Sequence, residues 1–107
     1  MLEINNPVDY GRILDLPLAI LDFSAEWCQP CKLMAMVLNS VSAKWPVATV
    51  DNDSPYGFSL AYGHSVSSLP TIIVLRHGEE IQRWVGLTKG DTIRRFMEEH
   101  AGATITV

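Results

Sequence analysis

The sequence predicts an α/β fold with a central mixed β-sheet flanked by helices on both faces. Three observations lead there. Short apolar, strand-like runs alternate with stretches of helical period, and only a tight turn separates the last two strand-like runs. No repeat, linker or composition shift divides the chain, so residues 1–107 read as one domain. Strands alternating with helices imply parallel pairing through right-handed crossovers, and the terminal hairpin adds an antiparallel edge.

Leu2–Ile4 and Val8–Leu14 read as minor elements at the start. Leu18-Ala19-Ile20-Leu21-Asp22-Phe23 is a short apolar run, the pattern of a strand buried on both faces. From Pro30 to Trp45 the period changes. Met34, Leu38, Val41 and Trp45 recur at helical spacing, and Pro46 stops them. Val47-Ala48-Thr49-Val50 follows as a second strand, closed by Asp51-Asn52-Asp53. Pro55–Tyr62 is a weaker helix with Gly63 as its expected stop. Thr71–Leu75 is the strongest strand signal, and His77-Gly78 turns it back into Glu80–Val85. Thr88-Lys89-Gly90-Asp91 has the form of a capping box, with Asp for the usual Glu. It opens a helix whose Ile93, Phe96, Met97 and His100 share one face.

Composition narrows the function classes. With 48% hydrophobic residues the chain is too apolar for intrinsic disorder, yet no segment has the length of a membrane helix. A net charge of -4 argues against a nucleic-acid surface, which needs clustered Lys and Arg. Met1–Pro7 lacks a basic n-region and a long apolar stretch, so a mature intracellular chain is expected. The only cysteines are Cys28 and Cys31, too few and too close for a disulfide scaffold.

Cys28-Gln29-Pro30-Cys31 lies between the first strong strand and the longest helix. There the free N–H groups and the macrodipole favour a thiolate on Cys28, and Pro30 suits the first turn. Cys31, one turn in, is close enough to close a small disulfide ring, which permits thiol–disulfide exchange. Zinc would need about four ligands. His64, His77 and His100 are scattered and supply no second pair, so no metal site is expected. Two inert core cysteines are the blander alternative. Asp22 is a carboxylate inside an apolar strand, which calls for a raised pKa or a partner. By itself it is as readily a strand-end hydrogen bonder as a functional group. Six residues before Cys28, it is placed to take a proton from Cys31 when that thiol resolves a mixed disulfide. Pro70 directly precedes a central strand, where a trans proline would merely start the strand.

Asp22-Phe23-Ser24-Ala25-Glu26-Trp27-Cys28-Gln29-Pro30-Cys31-Lys32, then Leu69-Pro70-Thr71, Gly78-Glu79 and Val85-Gly86, resemble the thioredoxin family in order and spacing over roughly residues 1–100. The resemblance implies a thioredoxin-like fold, with Cys28 as exposed nucleophile, Cys31 as buried resolving thiol and Asp22 as the carboxylate beneath them. It implies that Pro70 is cis and faces the disulfide, with Leu69 offering main-chain hydrogen bonds to an extended substrate. Trp27 and Gly86 would complete an apolar docking surface that also includes Gln29 and Pro30, whereas Trp45 and Trp84 are expected to pack.

Several positions depart from the family pattern. Gln29 stands where the family usually has Gly, and Met36 where many members have a kinking Pro, so a straighter helix is expected. Thr49 stands where many carry a Lys near the buried Asp, which should leave Asp22 harder to ionise. Tyr62-Gly63-His64-Ser65-Val66 holds two extra residues, a loop that retunes substrates or, in the blander reading, a tolerated insertion. Residues 101–107 run past the usual end as a C-terminal extension, strand-like at Thr104–Val107.

The expected activity is therefore protein-disulfide reduction through the Cys28–Cys31 pair, with no cofactor beyond that disulfide. The resemblance further implies disulfide-containing protein substrates and an NADPH- and flavin-dependent thioredoxin reductase as electron donor. A cytoplasmic monomer without nucleic-acid or membrane partners completes the expectation. A disulfide oxidase or isomerase of higher potential is one alternative, and a thioredoxin-fold binding or chaperone-like module is another.

Overall fold

The computed structural model describes residues 1–103, with side chains through residue 101. The elements are β1 (Leu2–Glu3), α1 (Pro7–Leu14), β2 (Ala19–Ser24), α2 (Gln29–Val41), β3 (Val47–Asp51), α3 (Pro55–Gly63), β4 (Thr71–Arg76), β5 (Glu79–Val85) and α4 (Gly90–Ala103). The strands form one sheet in the order β1-β3-β2-β4-β5. β1, β3 and β2 are parallel, while β4 runs antiparallel to both β2 and β5. This mixed sheet matches the sequence expectation. Residues 101–103 continue α4, and the strand-like Thr104–Val107 lies outside the described residues.

Each face of the sheet carries its own core, as alternation along buried strands requires. On one face Ile20, Val47, Ile72 and Val74 pack under Met34, Leu38 and Val41 of α2 and Ile93 and Met97 of α4. On the other, Leu21, Phe23, Val50, Ile73 and Leu75 meet Ile13 of α1 and Ala61 of α3. Burying each large apolar side chain contributes about 1.5–3 kcal/mol. Trp45 is buried in the first core, and Trp84 packs edge-on to Phe96 at 5.5 Å, so both tryptophans serve packing as expected. α2 runs as one helix through the exposed Met36.

Local chemistry sets the ends of the elements. Asn6 caps α1 by accepting from the Asp9 N–H at 2.9 Å, with Pro7 in the first turn. His77 and Gly78 both have positive φ, 46° and 82°, the geometry of a tight hairpin turn. A bulge between Val74 and Leu75 leaves Ile81 as the extra residue of β5, since Val74 pairs with Gln82 and Leu75 with Glu80.

Two expected boundaries are corrected. α3 takes in Gly63 as its last residue, one beyond the expected Tyr62, and is capped at His64, while Ser65 takes the left-handed conformation at φ 57°. Ser65 N–H donates to Tyr62 O and Val66 N–H to Ala61 O, which is a Schellman closure with Val66 packed on the core. The apolar anchor at Val66 thus sets the stop. At the start of α4, Thr88 makes no capping box. Its hydroxyl donates instead to Gly86 O at 3.1 Å, and the helix ladder begins from the Lys89 carbonyl.

Candidate active site

β2 ends at Ser24, β5 ends at Val85 and β4 begins at Thr71 at the same end of the sheet, because β4 is antiparallel to both neighbours. That arrangement collects the candidate residues. Cys28 caps α2 with extended backbone (φ -90°, ψ 107°), and its Sγ accepts from the Cys31 N–H at 3.3 Å. A sulfur in this place takes a donor that the helix start would otherwise leave unpaired. Cys28 and Cys31 are joined as a disulfide with Cα atoms 5.2 Å apart. On reduction, the same N–H and the helix dipole favour the thiolate of Cys28.

The expected contrast between an exposed Cys28 and a buried Cys31 does not hold. Their exposures are 5% and 3%. Capping turns the Cys28 sulfur over the helix start, and Ala25 and Leu69 pack against the pair. Cys31 borders a cleft of about 240 Å³ lined also by Glu3, Ser24, Lys32, Thr49 and Asp51.

Asp22 is 1% exposed and alternates with Ile20 on the face covered by α2. Its neighbours in register are Thr49 on β3 and Ile72 on β4. Among the described residues, its Oδ1 has no hydrogen-bond partner. Burial pushes the carboxyl up to about 7, and neither in-register neighbour brings a cation to oppose it.

The Leu69–Pro70 peptide is cis. Pro70 is buried, and its carbonyl accepts from the Gly86 N–H at 2.8 Å. Gly86 has φ +88°, a left-handed conformation that a Cβ would strain. Leu69 packs on the cysteines, and among the described residues its own N–H and C=O take no hydrogen-bond partner. Trp27 is 70% exposed, and its Nε1 donates to Asp53 Oδ2 at 2.9 Å. Gln29 and Pro30 are exposed in the first turn of α2.

The structure therefore gathers Cys28, Cys31 and Leu69, ties Pro70 to Gly86 and sets Asp22 in the sheet beneath α2. Trp27 is held on the α3 side by Asp53, which sequence reasoning missed. Only the acidic cluster Asp51-Asn52-Asp53 signalled it, and nothing in that cluster points to an indole. Gly57 supports this arrangement, because a Cβ there would strike the Asp51 carbonyl and displace the turn carrying Asp53. Among the described residues, no group of three or more His, Cys, Asp or Glu is placed to hold a metal ion, and no helix is long and apolar enough to cross a membrane.

Residues 9–99 match the family model for thioredoxin. The chain belongs to the thioredoxin family. A thioredoxin from Chlamydia trachomatis is 35% identical over 103 residues, covering 94% of this chain and 99% of that protein. A thioredoxin from Chlamydia muridarum is 33% identical with the same coverage. Among solved structures, a thioredoxin from Nicotiana alata superposes with a TM-score of 0.79 at 29% identity, covering 92% of this chain and 90% of its own. A mutant thioredoxin from Halobacterium salinarum reaches 0.85 at 24% identity, covering 92% and 88%, a likeness of fold alone. As a thioredoxin-family chain with a disulfide-capable Trp-Cys-x-Pro-Cys site, the protein is a thiol–disulfide oxidoreductase that reduces disulfides by dithiol exchange.

Proposed function

We propose that Cys28 is the nucleophile, Cys31 the resolving thiol and Asp22 the general base of this reduction. The Cys28 thiolate attacks one sulfur of a protein disulfide, and the other sulfur leaves as a thiolate that takes a proton. Cys31 then loses its proton and attacks Cys28 Sγ. The second substrate sulfur departs, and the Cys28–Cys31 disulfide forms, having passed two electrons to the substrate. Asp22, with a pKa near neutrality, accepts and returns the Cys31 proton. The transfer is direct or through a water in the cleft that borders Cys31.

Substrate lies across Trp27, Gln29, Pro30 and Gly86, pairing its main chain with the unpartnered N–H and C=O of Leu69 beside Pro70. The reaction runs without a bound cofactor, and a thioredoxin reductase using NADPH and flavin restores the dithiol. The protein works as a cytoplasmic monomer of one domain, without nucleic-acid or membrane partners.

One observation carries the assignment of the two thiols: the Cys28 sulfur accepts the Cys31 N–H at the start of α2. Cys28→Ser is expected to abolish reduction of insulin with dithiothreitol as donor, whereas Cys31→Ser traps covalent complexes with substrate. Retained turnover in Cys28→Ser would refute the mechanism.

A further inference from the structure

β5 holds the segment that leads into the Leu69–Pro70 bend at both of its ends. At the far end is the bond from Gly86 N–H to Pro70 O. At the near end Arg83 Nη2 donates to the His64 carbonyl at 2.6 Å, and Nη1 to the Ser65 carbonyl at 3.4 Å. The guanidinium is itself fixed by Glu80, through Nε to Oε2 at 2.8 Å and Nη2 to Oε1 at 2.7 Å.

The carbonyls that Arg83 grips belong to the insertion, which is also held from the opposite side. The His64 Nε2 shares a 2.8 Å hydrogen bond with the Tyr10 hydroxyl, and its ring lies 5.7 Å from that of Phe23. Ser65 sits at positive φ, which a side chain with a Cβ accepts only when its surroundings impose it. Further along, the Thr71 hydroxyl donates to the Ser68 carbonyl at 2.6 Å. Every anchor falls outside Leu69, whose main-chain groups stay open. The insertion is therefore a braced strut leading to the bend.

From this geometry we infer that Arg83 is a positioning residue for protein substrates: it fixes residues 64–68 so that the Leu69 main chain meets an extended segment at a set distance from the Cys28–Cys31 pair. The inference rests on the reading of Leu69 given under Proposed function. A main chain already fixed adds no ordering cost when a peptide pairs with it. A small disulfide that makes no main-chain pairs gains nothing from the brace.

The test compares wild type, Arg83→Met and Arg83→Lys in the reduction of insulin and of dithiobis(nitrobenzoate). Arg83→Met is expected to raise KM for insulin about tenfold, the effect of losing charge-assisted bonds to two carbonyls, with kcat and the small-disulfide rate unchanged. Arg83→Lys keeps a charge beside Glu80 but reaches one carbonyl, so its KM falls between the two. An unchanged insulin KM in either variant overturns the inference, as does a parallel fall in both activities. Should Arg83→Met fail to fold, Arg83→Lys alone decides the matter by the same readout. A wild-type protein inactive on the small disulfide refutes instead the dithiol chemistry on which the inference rests.

Discussion

Asp22 and Thr49 stand in register across the parallel β2–β3 pair, so the buried carboxylate has a neutral hydroxyl beside it where a cation would ease its ionisation. The Thr49 hydroxyl is itself engaged with the Leu2 carbonyl at 3.3 Å. A carboxyl raised to about 7 is protonated in the folded protein over a pH range where it is ionised in the unfolded chain.

The sign of the pH dependence follows. Below about pH 4 Asp22 is protonated in both states and contributes no slope. Between there and about pH 7 the folded state binds the extra proton, so stability falls as pH rises, and above pH 7 the whole penalty is present. Asp22→Asn is therefore expected to stabilise the oxidised protein at pH 8 by up to about 4 kcal/mol and hardly at all at pH 4. Denaturant unfolding at the two pH values measures the difference. An equal effect at both would show that Asp22 does not titrate in this range.

Thr49→Lys supplies the missing cation at the in-register position. The Asp22 pKa is expected to fall by about 1 unit or more, because a nearby positive charge favours the ionised carboxylate. Carbon-detected NMR titration of the Asp22 carboxyl reads this directly. No downward movement would mean that the lysine turns instead to Glu3 and Asp51, which line the same cleft.

Ser65 and Gly63 test where α3 stops. Ser65→Gly relieves a left-handed residue and is expected to raise stability by about 1 kcal/mol. Gly63→Ala adds a Cβ that meets nothing within 4 Å, so it is also expected to stabilise, by about 0.5–1 kcal/mol. Thermal melts of the two variants decide. A destabilised Gly63→Ala would restore Gly63 as the helix stop.

What the sequence made legible follows from which forces act locally. β2 and β4 are central strands covered on both faces, so their apolar runs stand out, whereas the two-residue β1 registers only as a minor element. The Cys28–Cys31 pair was readable because strand, loop and helix start follow one another in the chain. Long-range choices were not. Burial of Cys28 depends on Leu69, and the hydroxyl of Thr88 was diverted to Gly86 by the turn at the end of β5. Val66 moved the stop of α3 by packing on a core built mainly from other elements. The Arg83 grip joins residues 18 and 19 positions apart, which no local pattern encodes.

The bulge at Ile81 has a consequence for chain parity. Residues three apart on a regular strand project to opposite faces, yet Glu80 and Arg83 form an ion pair on the same face, opposite Leu75 and Ile73. The extra residue supplies the missing half-period. Ile81 and Gln82 share a single step of the pleat, and Ile81 packs with the core under α2 and α4. Removing Ile81 would turn Glu80 away from Arg83 while leaving both residues in the chain. The length of β5, counted to a single residue, thus decides whether the brace on residues 64–68 has its carboxylate.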